Sequence, residues 1–436
     1  MDYDLAVIGA GWAGFNSALK AKALGLKVAL IEKEQIGGTC LNRGCIPAKA
    51  LIQSSRVYNL AKRSGIFGVK AAEPEIDLAQ IHSRKNKIIE QLRQGMSFSL
   101  RGIDLLSGEA RITGSNTLRV GAKDSSSRFM LIATGSKPAQ LKGIRFDADK
   151  IVSSDDMLAS ESVPGSLLII GAGAIGCEFA NLFASFGSKV TIVEMMPQLL
   201  PGIDKEAARK AEAAFKKKGI EVVTSADANR FDLSRYDKVL LSVGRSAVTE
   251  GLGLEQLGIK TEKGMVIVDD SLKTSIPNIY AAGDCASRIM LAHFAAYQGC
   301  IAAENMAAGP SGNLKRSDER CVPACIFTEP EIGAVGLTED EAKERKIDIN
   351  VNKFDLLGSG MARIMDEANG FIKIISFKGT EEVAGASIVG PRAAELIGIL
   401  AVAVQSRLKT SQIRDTIFAH PTLSEGIISA LKGYGV

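Results

Sequence analysis

Two cysteines stand five residues apart in Gly37-Gly-Thr-Cys40-Leu-Asn-Arg-Gly-Cys45-Ile-Pro-Ala-Lys49. A thiol pair that can close to a disulfide carries two electrons. In a regular helix this spacing separates the residues by about 7.5 Å along the axis alone, beyond the reach of a disulfide. The backbone between Cys40 and Cys45 is therefore expected to be distorted, with Gly44 giving the freedom and Pro47 the break. A disulfide held in an irregular turn, with a helix starting behind it, should reduce readily to a low-pKa thiolate. Spacing alone leaves two unpaired buried cysteines as the alternative. A second candidate is Ala419-His420-Pro421-Thr-Leu-Ser-Glu425, where a carboxylate can orient an imidazole and raise its basicity, as a proton acceptor and donor needs. His82 and His293 have no such neighbour and read as surface or core residues.

The elements that must hold these groups show themselves as an internal repeat. Leu5-Ala-Val-Ile-Gly9-Ala-Gly11-Trp-Ala-Gly14 is matched by Leu167-Leu-Ile-Ile-Gly171-Ala-Gly173-Ala-Ile-Gly176, and the match continues with Gly25 and Gly187, Val28 and Val190, Glu32 and Glu194. Every pair is displaced by the same interval. Each copy reads as a short apolar strand, a G-x-G-x-x-G turn, a helix, a glycine stop, a second strand and an acid. In such a unit the first glycine permits the tight turn, the second lets backbone approach a pyrophosphate, and the third lets helix pack on strand. The acid accepts hydrogen bonds from a ribose. One such turn is weak evidence; two in register, each with its acid, predict two dinucleotide sites. Glu194 repels a 2′-phosphate and residues 195–200 contain no basic side chain, so the second site is expected to prefer NAD over NADP. The cysteine pair follows directly on the first unit, which favours the redox reading of Cys40 and Cys45.

With 436 residues, the chain should divide into roughly three domains. Apolar residues at 46% and charged residues at 23% describe a folded globular protein. A net charge of +4 with only 5% aromatic residues sets nucleic acid aside, and Lys216, Lys217 and Lys218 before Gly219 read as the end of a helix. The opening Met1-Asp2-Tyr3-Asp4 lacks the features of a secretory signal, which predicts a cytoplasmic protein. Leu396 to Val404, the longest apolar run, is about half of a bilayer span and reads as a core or subunit-interface helix. Seven scattered cysteines argue against a secreted disulfide framework. Cys177, Cys285, Cys300, Cys321 and Cys325 read as packing residues, with no metal site.

The segment around Cys40 and Cys45 resembles the active-site segment of the flavoprotein disulfide reductases, and of their lipoamide-linked members in particular. Leu131-Ile-Ala-Thr134-Gly135-Ser resembles the strand joining that family's flavin and nicotinamide domains, Ile279-Tyr-Ala-Ala-Gly283-Asp284 its second flavin motif, and Leu291-Ala292-His293 the segment that follows in the lipoamide enzymes. The C-terminal His420 and Glu425 resemble its catalytic acid–base signature. The resemblance implies two Rossmann-like α/β domains, for FAD and NAD, and a C-terminal α+β dimerisation domain. Its expected division is FAD at 1–147, NAD at 148–270, a second FAD segment at 271–315 and dimerisation at 316–436. FAD would be held by Gly9, Gly11, Gly14, Glu32, Thr39, Ala110, Thr134, Gly135, Asp284 and Ala292. NAD would be held by Gly171, Gly173, Gly176, Glu194, Gly244 and Arg245. Lys49 and Glu178 would form an ion pair near the flavin's reactive nitrogen; without the resemblance Glu178 reads as a helix-surface residue. The expected reaction is oxidation of protein-bound dihydrolipoamide by NAD through Cys40, Cys45 and FAD, with His420 and Glu425 reaching the partner subunit's cysteines in a homodimer. The lipoyl arm must come from a partner protein of a 2-oxoacid dehydrogenase or glycine-cleavage complex.

Three features depart from that pattern. The stretch between Val223 and Lys238 is short, which suggests a trimmed hairpin in the NAD domain. Arg245-Ser-Ala-Val lacks the Pro-Asn that commonly follows the arginine, and Phe418 stands where lipoamide enzymes often carry a further histidine. The competing readings are an NAD(P)H-dependent reductase of another disulfide, a non-catalytic assembly subunit, and a flavin diaphorase or NADH oxidase.

Overall fold

The computed structural model describes residues 1–309 and 312–432. The chain starts with β1 (Tyr3–Ile8), α1 (Trp12–Ala23) and β2 (Val28–Glu32), followed by α2 (Gly38–Arg43), α3 (Cys45–Lys62) and α4 (Leu78–Ser99). Strands β3 (Asp104–Ser107), β4 (Ala110–Gly114), β5 (Thr117–Val120) and β6 (Lys123–Ile132) complete a sheet in the order β3-β2-β1-β6-β5-β4. The first four strands in that order run parallel, and β5 and β4 add an antiparallel ribbon. Leu5 to Ile8 are buried without alternation because both faces of the sheet are covered: Leu5 and Val7 pack with Ala18 and Ala21 of α1, and Ala6 and Ile8 with Ile112 and Leu118 of the ribbon.

A short strand, β7 (Ser136–Pro138), leads into the second unit: β8 (Ile151–Val152), α5 (Ser154–Ala159), β9 (Ser166–Ile170), α6 (Ala174–Ser185), β10 (Lys189–Val193), α7 (Lys205–Lys217), β11 (Glu221–Val223) and β12 (Lys238–Leu241). Its five strands are all parallel, in the order β11-β10-β9-β12-β8. The lysine run does end α7, at Gly219 with φ +81°, but Lys218 also reaches Glu329 at 2.9 Å. In the shortened stretch after β11 stand two single 3₁₀ turns, Ala228–Arg230 and Leu233–Arg235, capped by Asp227 and Asp232. The chain then returns along β13 (Arg245–Ala247), which pairs antiparallel with β7 and straps the two units together.

After a small hairpin, β14 (Thr261–Glu262) and β15 (Met265–Val266), the strand β16 (Ile279–Ala281) joins the first sheet beside β6. Helix α8 (Ala292–Ala308) packs on α1, and Gly299 makes this possible: a Cβ there would lie 2.1 Å from Ala13 O. The C-terminal layer is an antiparallel sheet, β17 (Ala324–Ile326), β18 (Glu331–Gly336), β19 (Ile349–Asp355), β20 (Phe371–Phe377) and β21 (Val383–Gly390), ordered β17-β18-β21-β20-β19. Helices α9 (Glu339–Glu344), α10 (Gly360–Ile364), α11 (Ala393–Gln405), α12 (Thr410–Arg414) and α13 (Glu425–Lys432) accompany it. Helix α11 starts directly after Arg392, which adopts φ +55°. Within α11, Leu396, Ile397, Leu400 and Ala403 are buried while Ile399 and Val402 are exposed, so the apolar run is a one-sided helix. No described helix is long and apolar enough to cross a membrane. Lys373 of β20, almost wholly buried, joins this layer to the second unit through Asp204 at 3.1 Å and Glu206 at 3.0 Å, and it also bonds Glu339. The architecture is thus two Rossmann-like units and an α+β layer, as the repeat and the resemblance imply.

Candidate active site

The two glycine-rich turns repeat each other in three dimensions. Gly9 and Gly171 adopt φ +105° and +100°, which L side chains rarely reach, and a Cβ on either would strike the carbonyl of Ala133 or Ser242. A Cβ on Gly14 or Gly176 would lie 1.8 or 2.0 Å from the carbonyl of the first glycine, so helix and strand could not close. Around Gly173 a Cβ would meet nothing within 4 Å, leaving open the place where a pyrophosphate meets the helix N-terminus. Glu32 accepts Ala10 N–H and Glu34 N–H at 2.8 Å each, and Glu194 accepts Ala172 N–H at 2.7 Å and Met196 N–H at 2.8 Å. Each carboxylate is thereby fixed beside its turn with lone pairs left for a ribose. Both turns lie at the carboxyl ends of parallel strands, the place where dinucleotides bind in such sheets. The residues present therefore fit two dinucleotides.

Beyond Glu194 the loops after β10 and β11 cross, with Ser225 N–H donating to Met196 O and Ala226 N–H to Glu194 O, both at 3.0 Å. They border an open pocket of about 430 Å³ lined by Met195, Ser225, Ala226, Asp227, Arg230 and Phe231. Residues 195–200 indeed contain no basic side chain, but the shortened stretch brings exposed Arg230 to the same place, which a reading along the sequence missed.

The remaining candidate flavin residues come from several elements. Thr134 follows β6 and its hydroxyl donates to Val248 O at 2.5 Å; Gly135 takes φ +71°. Ala110 starts β4 and is buried, Ala292 opens α8, and Thr39 lies in α2. Asp284 Oδ2 accepts from Ser136 Oγ at 2.6 Å, and Ser136 Oγ in turn accepts from Arg245 Nε at 2.7 Å. Arg245 thus braces the strap through Nε and Nη2, adjoining Gly244 at φ +116°.

The thiols sit where α2 gives way to α3. Gly44 makes the break, at φ −145° and ψ −111°, and a Cβ on it would press to 3.0 Å from Thr39 O. Pro47 is not the break; it lies within the first turn of α3, where its missing N–H costs nothing. Cys45 is therefore the first residue of an 18-residue helix whose N-terminus favours negative charge. The two cysteines are reduced thiols facing each other. The Cys40 thiol donates to Cys45, which pulls Cys45 down to about 7 against the opposing effect of burial, with Lys49 assisting and Glu178 resisting. The same bond, with burial, pushes Cys40 far up. Of the two, Cys45 is thus the thiol that gives up its proton more readily. Cys45 is nonetheless exposed to solvent. Lys49 Nζ meets Glu178 Oε1 at 3.0 Å and Oε2 at 2.8 Å, and the pair is roofed by Phe327, whose N–H donates to Glu178 Oε1 at 3.0 Å and whose ring lies 4.7 Å from Lys49 Nζ. Glu178 is buried, so its reading as a surface residue without the resemblance fails.

His420 Nδ1 lies 2.7 Å from Glu425 Oε1, and Glu425 Oε2 accepts Thr422 N–H at 2.7 Å. Burial alone would raise the Glu425 carboxyl, but the Thr422 and His420 bonds hold it below its ordinary value. Among the described residues, no hydrogen bond links this dyad to Cys40 or Cys45 of the same chain. His82 Nδ1 lies 2.8 Å from Lys85 Nζ, and exposed His293 bonds Pro323 O at 2.9 Å, both away from the thiols. Cys177 and Cys285 are wholly buried, and Cys300, Cys321 and Cys325 partly so. Asn42 and Arg93 were not foreseen: Asn42 donates to Ile36 O and Gly38 O, and Arg93 of α4 holds the Asn42 carbonyl at 2.9 Å, fixing α2.

Two dinucleotide sites flanking a thiol pair define a nucleotide-linked disulfide oxidoreductase. Residues 3–299 match the pyridine nucleotide-disulphide oxidoreductase family and residues 322–431 match its dimerisation domain; the chain belongs to this family. It is an NAD-dependent flavoprotein whose cofactors are FAD and NAD. Over 98% of its length it is 38% identical to the dihydrolipoyl dehydrogenase of Geobacillus stearothermophilus, 95% of which is covered. Among solved structures, LpdA from Mycobacterium tuberculosis superposes with a TM-score of 0.90 at 27% identity, covering 98% of this chain and 99% of that one. The HOCl-induced flavoprotein disulfide reductase RclA from Escherichia coli superposes with a TM-score of 0.87 at 29% identity, covering 99% of each.

Proposed function

We propose that the protein oxidises protein-bound dihydrolipoamide to lipoamide and reduces NAD, as the dihydrolipoyl dehydrogenase of a multienzyme complex. The carrying observation is the placement of Cys40 and Cys45 at the break between α2 and α3, with Cys45 at the N-terminus of α3 beside the Lys49–Glu178 pair, in a chain similar over nearly its whole length to dihydrolipoyl dehydrogenases. In the oxidised enzyme, His420 takes the proton from one substrate thiol, and the resulting sulfur attacks Cys40 Sγ. The Cys40–Cys45 bond breaks and Cys45 leaves as the thiolate that Lys49 and the α3 N-terminus stabilise. The second substrate thiol then attacks the sulfur bound to Cys40, closing lipoamide; Cys40 leaves with the electron pair and takes the proton held by His420, which accepts the second thiol's proton in exchange. Glu425 orients His420 throughout. FAD, when bound, takes the electron pair from the thiols and passes it to NAD.

Gly9, Gly11, Gly14, Glu32, Thr39, Ala110, Thr134, Gly135, Asp284 and Ala292 would hold FAD, with Lys49 and Glu178 beside its reactive ring. Gly171, Gly173, Gly176, Glu194, Gly244 and Arg245 would hold NAD. In this reading the chain divides into residues 1–147, 148–270, 271–315 and 316–436, a division supported by the separate sheets. In this reading two copies form a homodimer in which each His420–Glu425 dyad serves the partner's thiols, and a lipoyl-bearing protein of a 2-oxoacid dehydrogenase or glycine-cleavage complex presents the substrate in the cytoplasm.

The test is NADH formation by the purified holoenzyme from NAD and dihydrolipoamide, repeated with NADP and with reduced glutathione. Turnover with NAD and dihydrolipoamide alone is expected. Turnover of glutathione without lipoamide would instead select a reductase of another disulfide, the reading that the RclA likeness and Phe418 support.

A further inference from the structure

We propose that Ser136 is a positioning residue shared by the two nucleotide sites: its one hydroxyl fixes Asp284 on the flavin side and Arg245 on the nicotinamide side, so that filling one site favours filling the other. This rests on the placement of Asp284 and Arg245 proposed above. Ser136 opens β7 and is 8% exposed. Its Oγ donates to Asp284 Oδ2 at 2.6 Å and accepts from Arg245 Nε at 2.7 Å, while its carbonyl accepts from Arg245 Nη2 at 2.8 Å.

The direction of these bonds follows from the groups themselves. A guanidinium only donates, so the serine oxygen must accept from Arg245, and its single proton is left for the carboxylate. A buried hydroxyl is satisfied by one partner; this one stands between two opposite charges, which makes both bonds short and strong. Among the described residues, Asp284 and Arg245 form no direct ion pair, and Asp284 Oδ1 and Arg245 Nη1 make no hydrogen bond. Each end of the relay thus keeps one group for a ligand.

Backbone holds the three segments that meet here. β7 and β13 pair in a register that sets Ala247 opposite Ser136 and Arg245 opposite Pro138, closed at its ends by Ala139 N–H to Gly244 O and Val248 N–H to Gly135 O, both at 3.0 Å. Arg245 therefore reaches Ser136 diagonally along one face of the ribbon. Asp284 follows β16, and Gly283 just before it donates its N–H to Gln298 Oε1 of α8 at 2.9 Å. A flavin held by Asp284 would stop that carboxylate from turning. The Ser136 proton then stays on it, the oxygen keeps a lone pair toward Arg245, and the guanidinium keeps both bonds to Ser136. Its Nη1 is already placed when NAD arrives, which lowers the ordering cost of binding. Linkage makes the effect reciprocal, so NAD must tighten the hold on flavin by the same factor.

Serial dilution of the oxidised holoenzyme, with released FAD read by its fluorescence, gives flavin affinity with and without saturating NAD. In the wild type NAD is expected to tighten flavin about fivefold or more. Ser136→Thr, which keeps the hydroxyl, should retain most of that factor, and Ser136→Ala should bring it close to one. A serine that only packs the strap would change flavin affinity and leave the NAD effect as it was. A wild type without the NAD effect, or a Ser136→Ala chain that keeps it in full, overturns the inference. If Ser136→Ala does not hold flavin, Arg245→Lys keeps the charge but loses the paired bonds to Ser136, and the same two outcomes decide. The site placement is checked separately by Asp284→Asn on FAD affinity and Arg245→Lys on NAD affinity. Should either nucleotide's affinity stay unchanged, the placement falls and the inference with it; should both fall while Ser136→Ala keeps the NAD effect, the relay alone is wrong. No dithiol enters the measurement, so an error in the proposed substrate cannot imitate either result.

Discussion

Lys49 Nζ lies 2.8 Å from Glu178 Oε2, bridging α3 of the first unit and α6 of the second. The two charges act on Cys45 in opposite directions, Lys49 lowering the thiol and Glu178 raising it. Lys49→Met is expected to raise the midpoint of the Cys45 thiolate above about 7, and Glu178→Gln to lower it. A shift of one unit in either direction changes the acid–base ratio of the thiol tenfold. Thiolate absorbance of the reduced enzyme, titrated against pH, reads both. Shifts of the same sign would show that the pair acts by holding α3 in place instead of by charge.

The same thiol makes the reduced protein's stability depend on pH. Cys45 falls from an ordinary 9.0 to about 7, mainly through the bond from Cys40, against burial and with help from Lys49. A folded value below the unfolded one contributes stability that is present above about pH 9 and lost as pH falls through about 7. Cys40 has the opposite sign: raised by its bond to Cys45 and by burial, it contributes stability below its ordinary value that declines as pH climbs beyond it. Reduced wild type is therefore expected to gain denaturation resistance over Cys45→Ser between about pH 7 and 9 and to gain no more above. A pH-independent difference in denaturant midpoint would refute this.

The 2.7 Å contact of His420 with Glu425 lies in the loop before α13, on the dimerisation layer. His420→Gln is expected to slow dihydrolipoamide turnover by about 10²–10⁴ and spare dye reduction, with Glu425→Gln doing less because the imidazole remains. Mixed dimers of Cys45→Ser and His420→Gln chains test which thiols the dyad serves. Action on the partner's thiols makes one site of each hybrid whole, so mixing two weak variants restores turnover. A dyad serving its own chain leaves both sites broken and the mixture inactive.

Much of this site could be read along the chain because its backbone chemistry is local. Gly9, Gly14 and Glu32 belong to one strand–turn–helix unit, and their spacing alone implies the turn; the repeat at Gly171, Gly176 and Glu194 doubles the signal. The irregular backbone between Cys40 and Cys45 was likewise implied by spacing, although Gly44 alone supplies it. What was illegible depends on distant contacts. Phe327 reaches Glu178 from the C-terminal layer, and Ser136 links Asp284 to Arg245 across three segments. Arg230 escaped for a simpler reason: its loop follows β11, and only the parallel pairing of β10 with β11 sets it beside Glu194.

Lys373 carries the junction between the second unit and the dimerisation layer. Its ammonium is almost wholly buried; burial works against its charge, but Glu339, Glu206 and Asp204 together raise it above the ordinary lysine value. Removing a buried cation leaves its carboxylates unpaired, at a cost of about 3–5 kcal/mol. Lys373→Met is expected to lose about that much in denaturant titrations, whereas Lys205→Met, at an exposed pair with Asp340, should lose less than about 1 kcal/mol. Similar losses for both would show the buried cluster to be no more than a surface ion pair.

Nucleotide choice should turn on Glu194 and Arg230 together. Glu194, nearly buried and fixed by two backbone N–H groups, sets a negative charge where a 2′-phosphate would lie, while Arg230 lines the pocket just beyond it. With the carboxylate present, its repulsion outweighs an exposed guanidinium, and NAD is favoured. Glu194→Gln keeps the shape and one backbone acceptor but removes the charge, so Arg230 becomes the leading charge near the phosphate. A charge-assisted bond of about 1.5–3 kcal/mol corresponds to roughly ten- to a hundredfold in affinity. Glu194→Gln should therefore raise NADP affinity relative to NAD by a factor in that range, and Glu194→Gln/Arg230→Ala should lose most of the gain, both read by equilibrium binding. An equal gain with and without Arg230 would mean that relief of repulsion is the whole effect.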